Sequence, residues 1–243
     1  MMRSWISGLL AAAAIAAAPA LASASSLQIM PINIDVPAPG AASTVTLNNP
    51  GGDTVNVQIR IFKWVQRNGE DELMPTGDVA VSPPAVKLDP GKKSVIRVVR
   101  LGKAPAATEE TYRLIVDELP KPVKAGQAGV GFSVRYSIPV FFSKSGADAD
   151  LSWQATVMKG QLILRAENAG GRRMRLASLA VVNAAGKTIR VGEGLAGYVL
   201  GQSSKQWTVK GASKAIAAGG TIKITAQGDN GPIEATAKVV AAN

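Results

Sequence analysis

The chain has 243 residues, carries 27 Lys plus Arg against 17 Asp plus Glu for a net charge of +10, and contains neither Cys nor His. Thiol catalysis, disulfides, zinc sites and Ser-His triads are thereby excluded. Aromatic residues make up 5% of the chain and the basic residues are scattered, which lacks the stacking platforms and basic stripe of a nucleic-acid binder; an anionic protein partner accounts better for the charge.

At the amino terminus Arg3 precedes an apolar, alanine-rich run from Ile6 to Leu21 that ends in Ala22-Ser23-Ala24. This is the pattern of a secretory signal peptide, residues 1–24, cleaved before Ser25. Beyond it no apolar stretch is long enough to cross a bilayer, so an exported product with no stable membrane insertion is expected.

The remaining chain, roughly 220 residues, suits one large or two ordinary domains, and its pattern favours two. Strand-like runs at Thr44–Leu47, Val55–Val65, Ser94–Leu101, Tyr112–Leu119 and Val130–Phe142 are bounded by Gly, Pro or Asn clusters, which predicts an antiparallel sandwich over 25–143. The small, polar stretch 144–150 reads as a linker. A second set of runs over 151–243 follows, at Gln161–Glu167, Leu176–Val182, Lys187–Val191, Gln206–Lys210, Thr221–Ala226 and Ile233–Val240. No helical pattern interrupts either set, so the class is all-β.

Short motifs that suggest other chemistry are incomplete. Gly129-Val-Gly131 lacks the third glycine and the following helix of a dinucleotide loop. Asp148 and Asp150 lack the rest of a calcium loop. No Ser has a Lys three positions later, as a Ser-Lys nucleophile pattern would have it. No enzyme, cofactor or metal is therefore expected.

Four segments of the first set, Val81-Ser-Pro-Pro84, Asp89-Pro-Gly-Lys-Lys-Ser-Val-Ile-Arg97, Tyr112-Arg-Leu-Ile-Val-Asp-Glu-Leu-Pro120 and Tyr136-Ser-Ile-Pro-Val-Phe-Phe142, resemble the periplasmic chaperones of the chaperone-usher pathway in identity, order and spacing. Glu167-Asn168 and Val199-Leu-Gly-Gln-Ser-Ser-Lys-Gln-Trp207 extend the resemblance over nearly the whole mature chain, and the Tyr-Arg-Leu and Ile-Pro-Val-Phe variants look most like the archaic branch. The resemblance implies two immunoglobulin-like sandwiches in a boomerang, an architecture for which a member of this family is itself a standard example. It also implies a periplasmic location, with pilus subunits and an outer-membrane usher as partners. The implied mechanism lends the last strand of the first domain to a subunit that lacks one of its own. Whether the free chaperone self-associates is left open.

From Val130 to Val140 the even positions Val130, Phe132, Val134, Tyr136, Ile138 and Val140 are apolar or aromatic, while the odd positions are Gly131, Ser133, Arg135, Ser137 and Pro139. This period of two gives one oily face. The donor-strand residues are accordingly Val130, Phe132, Val134 and Tyr136, with Ile138 and Val140 packing their own domain. The adjoining segment 121–129, rich in Pro, Lys, Gly and Ala, is expected to be mobile in the free protein.

The resemblance further implies a pair of cleft residues, an Arg and a Lys, that bind the subunit's terminal carboxylate and set the register of the lent strand. Here the Arg falls on Pro31 to Ile34, where nothing is basic, and the Lys aligns with Pro139. Arg113 and Arg135 are the expected replacements, because a guanidinium suits a carboxylate bidentately. Arg97, in the Asp89–Arg97 run, is expected to form an ion pair inside its domain. The competing function is a structural or adhesive subunit of the pilus itself. A periplasmic enzyme or carbohydrate-binding module comes third, disfavoured by the missing His, Cys and carboxylate pair.

Overall fold

The computed structural model describes residues 27–102, 108–120, 133–212 and 216–241. The signal-peptide reading of 1–24, the donor residues Val130 and Phe132, and the mobility expected of 121–129 lie outside the described residues.

Alternating burial builds the first sandwich. Its strands are β1 (Gln28–Met30), β2 (Ile34–Pro37), β3 (Ala42–Asn48), β4 (Val55–Arg67), β5 (Glu70–Met74), β6 (Val79–Ser82), β7 (Ala85–Leu88), β8 (Lys93–Arg100), β9 (Glu110–Leu119) and β10 (Arg135–Ser143). One sheet runs β1-β3-β8-β6; the other runs β2-β10-β9-β4-β5, with β7 also on β4. In β4 the odd positions Val55, Val57 and Ile59 point into the core, where they meet Val45, Leu47, Ile96 and Val98 of the facing sheet. Each such side chain contributes about 1.5–3 kcal/mol on burial. Tyr112 and Phe142 close the same core edge-on, their ring centroids 6.0 Å apart.

Where the first strand crosses between the sheets, its two halves take different partners. β1 pairs antiparallel with β3, whereas β2 pairs in parallel with β10 over Val140–Ser143.

The second sandwich contains β11 (Leu151–Met158), β12 (Gln161–Asn168), β13 (Met174–Val182), β14 (Thr188–Arg190), β15 (Leu195–Val199), β16 (Ser203–Val209), β17 (Thr221–Gly228) and β18 (Gly231–Ala241). Its order is β14-β13-β17-β18-β11-β12-β16, with β15 on β13. β18 joins the layers, since it pairs with β17 up to Lys238 and then with β11 from Val239. The described residues contain no helix, and the architecture is all-β with two separate cores.

Residues 144–150 run between β10 and β11 as a stretch tied to the second sandwich. Ala169 N–H donates to the Asp150 carbonyl at 2.8 Å and Arg172 N–H to that of Asp148 at 3.2 Å. Gly170 permits this approach, because a Cβ there would lie 2.2 Å from the Asp148 carbonyl oxygen.

Candidate functional site

Two apolar side chains break the parity of their strands. Trp64 in β4 and Phe141 in β10 lie on the faces opposite to the first core, yet they are 1% and 0% exposed. Each is covered by the second domain. With Tyr198 and Leu200 they form a third cluster, Trp64 meeting Tyr198 edge-on at 5.5 Å and Phe141 lying 5.7 Å from Tyr198.

Polar contacts lock this junction. Gln66 donates from Nε2 to the Tyr198 carbonyl at 2.7 Å, and its Oε1 accepts from Leu200 N–H at 3.0 Å. Asp71 accepts from Trp64 Nε1, Gln66 Nε2 and Lys205 Nζ at 3.1, 2.8 and 2.8 Å. Burial pushes the Asp71 carboxyl up, but these three donors outweigh it and hold it below the usual carboxylate range. On the far side, Arg173 joins Asp35 at 2.8 Å to the buried Glu109, with its guanidinium 3.5 Å over the Phe141 ring. Arg172 also reaches Asp35, at 2.9 Å.

Beside the junction, β10 presents an open edge. It pairs with β9 along its whole length, from Arg135↔Asp117 to Phe142↔Glu110, but with β2 only from Val140 onward. Glu118 N–H donates to the Val134 carbonyl at 3.0 Å, and Ala38 N–H to that of Ser143 at 2.8 Å. The alternation of an antiparallel ladder then turns the even residues of β10 toward β9 and the odd ones outward. Arg135 and Ser137 thus aim their backbone groups at an edge without a strand partner among the described residues, and Pro139 has no N–H to offer there.

The predicted site residues divide along this edge. Val134 is half-buried at its outer end. Tyr136 packs against its own domain's core and donates from its hydroxyl to the Leu27 carbonyl at 2.7 Å. Ile138 and Val140 are core residues.

Arg113 is the register partner of Pro139, which places it where the open edge ends and β2 takes over. Its guanidinium carbon lies 3.7 Å from the Trp64 ring and 5.8 Å from that of Tyr198, and Nη1 is 3.4 Å from the Ser137 carbonyl oxygen. Burial pulls its pKa down, with Tyr198 and Asp71 opposing.

Arg135 has different surroundings. It is paired with Asp117, which Arg60 also holds, and its side chain is 66% exposed. These cations keep the Asp117 carboxyl below its usual range, Arg135 foremost. Arg135 and Arg113 stand four ladder positions apart, about 13 Å along the strands. The two are engaged differently, Arg135 by a carboxylate and Arg113 by aromatic rings. The ion pair expected of Arg97 is corrected, because that residue is exposed and has no carboxylate partner among the described residues. The ion-paired arginine of β8 is Arg100, which grips Glu110 through Nε and Nη2 at 2.6 and 2.8 Å.

Sequence reasoning missed Trp64, Gln66, Tyr198, Asp35, Glu109 and Arg173. Only the aromatics left a signal: Trp64 and Phe141 are large apolar residues on the outward parity, which marks a second buried face.

Residues 26–147 match the family described as pili and flagellar-assembly chaperone, PapD N-terminal domain. A comparison with curated proteins finds no match. Among solved structures, the chain is 27% identical, with a TM-score of 0.69, to the chaperone of the CsuC–CsuE chaperone–tip adhesion subunit complex from archaic Csu pili of Acinetobacter baumannii, covering 90% of this chain and 100% of that one. It is similar at 22% identity and a TM-score of 0.60 to a chain of the Salmonella enterica SafA pilin–SafB chaperone complex, covering 87% and 96%. For the Escherichia coli chaperone DraB the values are 20% and 0.59, covering 87% and 96%. The last two relatives bear on the fold alone. No helix among the described residues is long and apolar enough to cross a membrane. The family match, the two-sandwich architecture and the likeness to an archaic chaperone converge, and this chain belongs to the PapD-like chaperones of pilus assembly.

Proposed function

We propose that this protein is a periplasmic chaperone that binds, folds and caps pilus subunits by lending them a strand, and that it hands them to an outer-membrane usher. A subunit lacking its last strand exposes an apolar groove and unpaired backbone, which invites aggregation. Strand addition satisfies both needs at once, through ladder hydrogen bonds and alternate side chains. The observation that carries this reading is that the open edge of β10 ends at Arg113. A subunit strand pairing along Arg135–Ser137 runs into β2 at Ile34, so its terminus arrives beside Pro139 and Arg113.

In this reading Arg113 is the carboxylate anchor. The family's last-strand Lys aligns with Pro139, and Arg113 faces that position directly across the ladder, with Cβ atoms about 5 Å apart. A fixed terminus fixes register, and a slip of one residue turns every groove side chain outward. Val130, Phe132 and Val134 form the donated face in this reading, with Tyr136 at its inner limit. Arg135 serves the edge through Asp117 without touching the carboxylate. The domain limits follow the same reading: 25–143 carries the donor strand, 144–150 connects, and 151–243 forms the second wall of the cleft. The likeness to CsuC, solved with a tip adhesion subunit, supports a subunit as the ligand.

The test is Arg113→Ala measured by calorimetry against a pilus subunit with a free and with an amidated terminus. Losing a largely desolvated, charge-assisted pair costs about 2–5 kcal/mol, a factor of roughly thirty to several thousand in affinity. Wild type is expected to lose that factor on amidation, and Arg113→Ala to bind both forms equally weakly. A wild-type chaperone indifferent to amidation has no carboxylate anchor.

A further inference from the structure

Arg113 is held in an unusual way for a cation at a domain junction. Its guanidinium is half-buried, yet no carboxylate lies within ion-pair distance among the described residues. The acid whose charge acts on it, Asp71, is committed to Trp64, Gln66 and Lys205. What surrounds the guanidinium is aromatic: Trp64 at 3.7 Å from the first domain and Tyr198 at 5.8 Å from the second, themselves packed edge-on. An acid partner would neutralise the cation and compete with an arriving carboxylate. A π face orients it and, apart from the Nη1 contact with the Ser137 carbonyl, leaves its N–H groups available.

We propose that Trp64 and Tyr198 are the positioning residues of the carboxylate anchor, and that because Tyr198 comes from the second domain, the anchor is complete only while the two domains are docked. This rests on the reading of Arg113 as that anchor.

Three local devices support the arrangement. Asp71 accepts from Trp64 Nε1 and so fixes the indole plane. Gln66, two residues along β4, grips the backbone on both sides of Val199 and thereby pins Tyr198 against the first domain. Ser203 adds a bond to the Gln66 carbonyl at 3.2 Å. The ligand class is a strand-forming polypeptide with a free terminal carboxylate, and the second domain contributes to recognising it through Tyr198.

The experiment measures preference, the ratio of affinities for one peptide with a free and with an amidated carboxyl terminus. The probe is a synthetic peptide of alternating valine and threonine. The variants are Tyr198→Leu, Tyr198→Phe and Gln66→Ala, each checked for native fold by circular dichroism. Stacking on an aromatic face is worth about two- to thirtyfold when converted to affinity, so Tyr198→Leu is expected to reduce the preference by a factor in that range. Tyr198→Phe keeps the ring and is expected to retain it. Gln66→Ala touches no ligand, yet it is expected to lower the preference by releasing Tyr198. If wild type shows preference and both Tyr198→Leu and Gln66→Ala keep all of it, the aromatic platform is overturned while the anchor stands. If wild type shows none, the anchor itself falls, and this inference with it.

Discussion

Arg173→Ala is expected to destabilise the docked domains far more than a surface arginine substitution, with a pH dependence that identifies the cause. The Arg173 side chain is 7% exposed and bridges Asp35, 28% exposed, to Glu109, 0% exposed. Removing it strands the Glu109 carboxylate without its cation, which costs about 3–5 kcal/mol for a buried pair. Arg175→Ala, whose ion pair with Asp229 is 39% and 40% exposed, is the control at about 0–1 kcal/mol. Burial already pushes the Glu109 carboxyl above its ordinary range, with Arg173 drawing it only part of the way back. In the variant it rises further. Below the ordinary glutamate range of about 4.3 the group is neutral both folded and unfolded, so the loss shrinks. As pH rises through the folded-state value, the penalty for charging it appears in full. Asp35 adds to the same trend: burial raises it, but Arg173, Ser143 and Arg172 outweigh this and hold it low, so the stability Arg173 lends it is present at neutral pH, lost on acidification, and its absence in the variant likewise matters less in acid. Because Arg172 and Ser143 stay in place, Glu109 supplies the larger part. Urea unfolding followed by tryptophan fluorescence between about pH 4 and 8 measures this, with the two domains fitted as separate transitions. A loss below about 1 kcal/mol at neutral pH, or one that fails to shrink on acidification, refutes the reasoning. Arg173→Leu combined with Glu109→Leu is expected to recover most of the loss, since apolar pairs replace buried ion pairs at little cost.

Three further outcomes are expected. Replacing Phe132 and Val134 together by Asp leaves the chaperone folded but unable to recover soluble subunit, because an unpaired charge cannot enter an apolar groove; normal yield in co-purification counts against strand donation. Arg100→Ala removes the paired grip that, more than any other contact, holds the Glu110 carboxyl below its ordinary range. The stability supplied by that pair is present above the ordinary glutamate range and lost as pH falls through the lowered value, so the variant loses about 3 kcal/mol at neutral pH, and its acid-unfolding curve by circular dichroism is shallower. Tyr136→Phe gives up the 2.7 Å bond to the Leu27 carbonyl for about 1 kcal/mol, and subunit affinity measured alongside stays unchanged if the hydroxyl serves only the fold.

Alternation along single strands was enough to announce an all-β chain, since β3, β8 and the first half of β4 place one residue in two on a buried face, whereas β9 and the second half of β10 are buried on both faces. β5 escaped notice because all five of its residues are exposed and carry no alternation. β1 and β2, of 3 and 4 residues, are too short to show a period. β11 was missed because it begins directly after the polar stretch 144–150. The oily parity of β10 was legible, but not its division into a core half and an open-edged half, which depends on where β2, a hundred residues earlier in the chain, docks at Val140.

The two candidate anchors were indistinguishable in sequence, as both are arginines on the outward face of neighbouring strands. What separates them is tertiary. Arg135 meets Asp117 across the ladder, whereas Arg113 meets an aromatic side chain from the other domain. The pairing of Arg113 with Pro139 likewise follows from a register that only assembly of the sheet sets. Asp35, Glu109 and Arg173 lie in three distant segments, and no local pattern marks them, because a buried charge is made tolerable only by the partner that folding brings to it.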